Sequence, residues 1–139
     1  MNQGKPAAFR FKDYHIKKFD FDSTFEDKET PLDIGFELNG MFNIKSQSYT
    51  QQLVCLGKVN NHNLFRIEMD SVFEFSDLKS FEDIPAYFYG NSLGIVYPYI
   101  RAFISTLTLQ ANCGDIVVLS LLNLTDLAQV LKENTEVRD

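Results

Sequence analysis

The sequence predicts a single α+β domain in which a four-stranded antiparallel meander sheet packs against two C-terminal helices. Two observations predict this fold: apolar residues alternate with polar ones in the N-terminal half, and they recur with a helical period in the C-terminal third. The 139 residues are enough for one hydrophobic core, and no linker or repeat divides them. We therefore expect residues 1–139 to form one domain, with flexible ends at residues 1–8 and 134–139.

The first predicted strand covers residues 9–21, and its apolar residues change phase twice. The first and last pairs share one face, whereas the middle pair falls on the other. In chain order, these pairs are Phe9 and Phe11, Tyr14 and Ile16, and Phe19 and Phe21. A change of phase inside one extended stretch predicts a bulged or bent strand, or one buried on both faces at different points.

Three further strands follow, joined by short polar turns. Every second position from Leu32 to Ile44 is apolar or glycine, and much of the opposite face is polar, which predicts an antiparallel sheet with one solvated face. Residues 49–58 and 64–78 also have apolar sides, and an asparagine-rich turn at residues 60–63 separates them. Four strands connected by short turns predict a meander.

The period changes after residue 78, where the helical region begins. An apolar stripe predicts a helix over residues 98–111, with Pro98 in its first turn and Gly114 as its stop. The members of this stripe are Ile100, Phe103, Ile104, Leu107 and Ala111. Pro85 and Gly90 predict a connection rather than a longer helix before it. A short extended piece within residues 113–122 and a last helix over residues 126–132 complete the fold.

Composition and motifs exclude several functional classes. The formal charge of −6 argues against nucleic acid or an anionic membrane as a partner. No nucleotide-binding or zinc-protease motif occurs, and the two histidines stand far apart, so we predict no catalytic residue, metal or cofactor. Cys55 and Cys113 form no paired motif and indicate reduced thiols in a cytoplasmic protein. Pro98, Arg101 and Asp115 interrupt the longest apolar runs, so no membrane span is predicted.

Two segments near the C-terminus carry a recognisable order of residues. The first contains Asn91, Leu93, Ile95, Tyr97, Pro98, Tyr99 and Arg101. The second contains Leu119, Leu121, Leu122, Asn123, Leu124, Asp126 and Leu127, with Gly114 between the two segments. With these motifs and the order of its elements, the chain resembles the SecB family of protein-export chaperones.

The resemblance implies a sheet backed by two helices and assembled as a homotetramer, a dimer of dimers. It also implies an ATP-independent holdase that binds unfolded or pre-export polypeptides in apolar grooves. In that family a secretion motor docks on an acidic patch of the sheet and on a C-terminal tail. The tail is where this sequence departs from the family, which fits a divergent member devoted to a narrow client such as an antitoxin.

Candidate site residues come from aromatic, uncharged and acidic clusters. Thirteen Phe and six Tyr exceed the needs of a modest core, and they either line a binding surface or fill the core and an oligomer interface. The candidate polypeptide-binding residues are Phe19, Phe21, Phe25, Tyr87, Tyr89 and Leu121. The candidate oligomer interface is the second, uncharged face of the long helix, at Tyr99, Ala102, Thr106 and Leu109. The candidate acidic patch for a motor is Asp20, Asp22, Glu37, Glu68 and Glu74.

Two alternatives to a general holdase remain open on the sequence. One is a dedicated adaptor that keeps the fold and binds one partner. The other is a small-ligand-binding α+β domain, which predicts an enclosed pocket between sheet and helices and no oligomer.

Overall fold

A computed structural model describes residues 8–24, 30–112, 114–120 and 124–138. The described strands form one five-stranded sheet, and two helices complete the fold. The strands are β1 (Phe9–Phe21), β2 (Asp33–Asn43), β3 (Ser48–Val59), β4 (His62–Phe75) and β5 (Thr135–Arg138). The helices are α1 (Ala86–Ala111) and α2 (Leu124–Glu133), and a short 3-10 turn at Phe81–Asp83 precedes α1. The predicted α+β class is confirmed.

The strand order corrects the predicted connectivity. The order is β1-β4-β3-β2-β5, so only β2, β3 and β4 form a meander, while β1 lies beyond β4. Opposite charges on facing positions favour this pairing, because Arg10 lies opposite Glu74 and forms an ion pair with it. The four long strands pair antiparallel, as predicted.

Strand β1 contains two bulges, which confirms one of the alternatives that the sequence left open. The register with β4 shifts between Phe11 and Asp13 and again between Ile16 and Lys18, so Lys12 and Lys17 are the inserted residues. Each insertion turns the following residues over once. The six apolar residues of β1 consequently face the same side of the sheet, opposite Phe75, Phe73, Ser71, Met69, Ile67 and Phe65.

The core lies between this side of the sheet and the inner side of α1. Phe88 is at its centre and is fully buried. Its ring lies 4.8 to 5.4 Å, centroid to centroid, from the rings of Phe9, Phe73, Phe75 and Tyr49. Removing so large a buried ring typically costs about 3–5 kcal/mol of stability.

Helix α1 begins at Ala86, and the prediction that it begins at Pro98 was wrong. Pro85 occupies the N-cap position, so the proline that was assigned to a connection instead starts the helix. Pro98 lies inside the helix and cannot donate to the carbonyl of Gly94. Both residues are exposed, so water can satisfy that carbonyl. The helix stops at Asn112, which is left-handed, rather than at Gly114.

The C-terminal segment is a strand, and the prediction that residues 134–139 are flexible was wrong for residues 134–138. Strand β5 pairs parallel with residues 40–43 of β2. Asn134 fixes its start, because its side-chain amide donates to the carbonyl of Leu38 and its own carbonyl accepts from Gly40. The Tyr49 hydroxyl lies 2.7 Å from Thr135 Oγ1. Residues 1–7 and 139 lie outside the described chain.

Gly40 lets the Tyr49 hydroxyl pass beneath β2 to reach Thr135. A Cβ at this position would overlap the Tyr49 hydroxyl and would lie 2.7 Å from Thr135 Oγ1. Gly40→Ala should therefore lower the free energy of unfolding by about 1–3 kcal/mol, measured by urea denaturation. Gly35→Ala is the matched control in the same strand, since a Cβ there meets nothing within 4 Å, and should change stability by less than about 0.5 kcal/mol. Equal losses in the two variants would contradict this explanation.

Candidate functional site

The surface around the C-terminal half of α1 is apolar. Over 26 residues this helix carries one charged side chain, Arg101. Ile100 and Ile104 on its inner side are fully buried against the sheet. The opposite side is exposed, and it contains the four residues predicted for an oligomer interface, which we call the outer stripe: Tyr99, Ala102, Thr106 and Leu109. Tyr99 retains 41% exposure and Leu109 54%, so the outer stripe presents apolar area to solvent.

An aromatic cluster on β1 borders the outer stripe on one side. Tyr14 and Phe19 are 37% and 51% exposed. Tyr14 stacks on Tyr99 at 4.3 Å between ring centroids, and Phe19 meets Phe103 edge to face at 5.2 Å. These contacts depend on the two bulges in β1, which turn Tyr14 and Phe19 to the helix side. We call Tyr14, Phe19 and Phe103 the β1 flank.

An extended segment, residues 114–120, borders α1 on the other side, and we call it the strap. Ile116 and Val118 of the strap are 48% and 64% exposed, whereas Leu119 is 2% exposed and belongs to the core. Val118 forms an open, shallow groove with four residues of α1. These are Pro98, Arg101, Ala102 and Ser105. The outer stripe therefore has an apolar flank on each side.

Polar side chains of α1 fasten the strap through its backbone. The Tyr97 hydroxyl donates to the carbonyl of Ser120 at 2.6 Å, and Arg101 Nε donates to the carbonyl of Leu119. The Ser105 hydroxyl donates to the carbonyl of Val117 at 2.9 Å. The Val117 N–H in turn donates to Thr108 Oγ1 at 2.9 Å. The donors and acceptors on α1 follow one another at helical spacing, so they lie along one side of the helix.

The predicted polypeptide-binding residues do not form one groove. Phe19 is exposed on the β1 flank, and Phe21 is half-buried beside the core. Tyr87 is 42% exposed near the start of α1, about 24 Å along the helix from the residue that Phe19 contacts, Phe103. Tyr89 was wrongly placed in an open groove, because it is 3% exposed and packs against the core rings. Phe25 and Leu121 lie outside the described residues.

Three residues of the exposed apolar surface around α1 were not predicted from the sequence: Tyr14, Ile116 and Val118. Tyr14 has the opposite alternation phase to Phe19, and only the inserted lysine between them brings both to one side. Ile116 and Val118 stand in an apolar run that gives no sign of which residues face outward.

The predicted acidic patch is a surface of mixed charge. Arg66 contacts Glu37 at 3.3 Å and Glu68 at 3.1 Å. Hydrogen bonds lower the pKa of Glu74 below its ordinary value, and the one from Arg10 has a larger effect than the one from Lys12. Asp20 lies 3.9 Å from Lys18, and hydrogen bonds from Thr24 lower the pKa of Asp22. Lysine and arginine side chains from β1 and β4 thus pair with four of the five acids that were expected to attract a basic partner.

Within the described ranges, no three potential metal ligands come together. Burial raises the pKa of the Cys55 thiol to about 12, so this thiol is protonated at neutral pH and packs as a small apolar side chain. Two surface hollows, one beside Phe9 and Glu74 and one beside Val118, are open to solvent.

Helix α1 is long and apolar enough to cross a membrane by length and composition alone. Pro98 and Arg101, which were expected to interrupt the apolar run, lie within the helix. Its inner side packs on the sheet through Phe88, Ile100 and Ile104. A core helix of a soluble protein passes the same test.

Comparison with known proteins finds similarity at the level of structure. No protein-family model and no curated protein sequence matches the chain. The solved structure of the Mycobacterium tuberculosis Rv1957 SecB-like chaperone, in complex with a ChAD peptide from the Rv1956 HigA1 antitoxin, is similar with a TM-score of 0.69 and 17% identity. The match covers 83% of this chain and 91% of that chain. At this identity the likeness establishes a SecB-like fold.

A second solved structure is a more distant match. It is a protein of unknown function from Streptococcus agalactiae, with a TM-score of 0.47 and 10% identity. The match covers 83% of this chain and 98% of that chain.

Thr108 holds the strap through the Val117 N–H, and this contact can be tested alone. Thr108→Val keeps the shape of the buried side chain but removes the acceptor, which leaves the N–H unsatisfied at a cost of about 1–3 kcal/mol. We expect the Val117 amide to exchange with solvent about tenfold faster or more, measured by hydrogen exchange with NMR detection. Thr106→Val, on the exposed side of the same helix, should leave that exchange rate unchanged. A Val117 rate unaffected by Thr108→Val would show that the bond does not hold the strap.

Proposed function

We propose that this protein is a cytoplasmic, ATP-independent holdase chaperone that binds unfolded polypeptides on the β1 flank and on the exposed side chains of the strap. The observation that carries the proposal is the largely apolar surface around α1 on a SecB-like fold. Exposed apolar patches of this kind mark interaction sites. Aromatic side chains such as Phe19 provide contact area at small entropic cost and accept many client sequences.

We propose further that the outer stripe is covered by a second copy of the chain. A solvated helix normally carries charge on its outer side, and this one carries tyrosine, alanine, threonine and leucine there. Small residues such as Ala102 permit close approach of a second helix. The assembly would be a homo-oligomer, with the dimer of dimers as the arrangement that the resemblance implies. We call this contact between two copies of the outer stripe the seam. The β1 flank and the strap, on either side of it, would remain open to clients.

A dedicated adaptor for one partner, such as an antitoxin, is the second candidate. The mycobacterial relative favours it, because that protein was solved with an antitoxin peptide. A pull-down that returns one dominant protein would support the adaptor, whereas many unrelated unfolded chains would support the holdase. A small-ligand domain is less favoured, because the two hollows beside Phe9 and beside Val118 are open to solvent rather than enclosed between sheet and helices. Docking of a secretion motor on the acids of the sheet is also less favoured, since cations pair with them.

Ala102→Glu tests the proposed seam. The substitution places a charge in the middle of the outer stripe, where a second copy would have to bury it without a partner. We expect the mass measured by light scattering to fall from that of an oligomer to that of a smaller species, while circular dichroism remains unchanged. Ser76→Glu adds the same charge at an exposed position outside α1 and should leave the mass unaltered. A monomeric wild-type chain, or an intact Ala102→Glu oligomer, would count against the seam.

Phe19→Asp tests client binding on the β1 flank. Losing the burial of one phenylalanine in a complex is worth about 1.5–3 kcal/mol, so the Kd for reduced, carboxymethylated α-lactalbumin should rise about tenfold or more. Val137→Asp is the matched control, because Val137 is 45% exposed on β5 at the opposite edge of the sheet. If the wild type neither binds this unfolded protein nor suppresses aggregation at stoichiometric amounts, the holdase function is wrong.

A further inference from the structure

The strap is bound to α1 in the way that a foreign extended peptide would be bound. The four polar contacts that α1 makes with it reach main-chain atoms: the carbonyls of Val117, Leu119 and Ser120, and the N–H of Val117. Every residue except proline offers these same groups. The polar side chains of α1 therefore recognise an extended backbone without reading its sequence.

The side chains of the strap alternate between the protein and solvent. Leu119 is buried and Val117 is half-buried, whereas Ile116 and Val118 are exposed. This alternation is that of a strand with one buried face. Among the residues that the structure describes, no strand pairs with the strap. Its attachment rests on the contacts with α1 and on the burial of Leu119.

We propose that the side of α1 formed by Tyr97, Arg101, Ser105 and Thr108 is a binding cleft for an extended polypeptide segment, and that the strap occupies it as an internal substitute. A segment that fits has apolar side chains two residues apart, as at Val117 and Leu119. It also has a backbone N–H at the first of these positions, which a proline would lack. This inference rests on the proposed function, because the natural competitor of the strap is a segment of an unfolded client. The strap then keeps the cleft closed until a client arrives.

Competition for the cleft has a defined physical condition. The strap is covalently attached, so its effective concentration at the cleft is in the millimolar range or above, and a dilute short peptide cannot displace it. A client that already contacts Ile116 and Val118 gains a comparable advantage, because these exposed side chains lie directly beside the cleft. We therefore expect exchange with long unfolded chains and not with short free peptides, unless the strap is first released.

The test releases the strap and supplies its sequence from outside. Leu119→Ser removes the buried anchor, and a fluorescein-labelled peptide with the sequence of residues 114–120, GDIVVLS, serves as the probe. We expect the Leu119→Ser protein to bind this peptide at least tenfold more tightly than the wild type, measured by fluorescence anisotropy. Val137→Ser, at an exposed position on β5 outside the cleft and both flanks, should bind it as weakly as the wild type does.

A matched peptide distinguishes recognition of the backbone from non-specific hydrophobic binding. N-methylation at the position of Val117 removes the one N–H that Thr108 accepts and keeps the side chains. This peptide should fail to bind the Leu119→Ser protein. Equal binding of the two peptides, or no gain in the Leu119→Ser protein, would overturn the inference.

A second measurement uses the wild-type chain and does not depend on a variant that folds. Addition of reduced, carboxymethylated α-lactalbumin should accelerate exchange of the Val117 amide at least tenfold, because a client in the cleft displaces the strap. If the client binds and suppresses aggregation while the Val117 rate stays unchanged, the holdase function stands and the cleft is wrong. If no client binds, the proposed function fails, and the peptide experiment still decides whether the cleft accepts an extended segment.

Discussion

The contact between the inner side of α1 and the helix-facing side of the sheet is the interaction on which the rest of the structure depends. Each of the large side chains buried there contributes about 1.5–3 kcal/mol relative to exposure, and Phe88 alone joins β1, β3 and β4. The bulges of β1 serve this contact, because without them Tyr14 and Ile16 would face away from the helix. The N-cap at Pro85 serves it as well, since a helix starting at Pro98 would leave out Phe88.

The same contact explains why so much apolar surface remains outside. One helix covers the middle of the sheet, and its inner stripe uses only part of its circumference. The remaining circumference carries no charge except Arg101, and that side chain is engaged with the strap. Apolar rings from β1 continue this surface on one side and the strap continues it on the other. One apolar surface would therefore serve two purposes. The outer stripe would bind a second copy of the chain, and the β1 flank and the strap would bind unfolded polypeptides.

The sequence predicted the parts of the fold that have a short-range period. The four long strands were placed to within a few residues, because alternation reports directly on a sheet with one buried face. The start of α1 was missed because Pro98 suited a first turn, although it is exposed inside the helix. Strand β5 was missed because its four residues have no clear period, and its position depends on Tyr49 and Leu38, which are distant in sequence. The uncharged outer side of α1 could be read from the sequence. The attachment of the strap to α1 could not, because side chains that bind backbone atoms do not require particular residues in the strap.

The central claim is that unfolded polypeptides bind on the flanks of α1, and a titration followed by NMR tests it most directly. Reduced, carboxymethylated α-lactalbumin would be added to the labelled protein, and backbone and methyl shifts would be mapped onto the fold. We expect shift changes at Tyr14, Phe19, Ile116 and Val118, with little change at Glu37, Glu68 or Val137. Absence of binding, or shift changes confined to the charged outer face of the sheet, would contradict it.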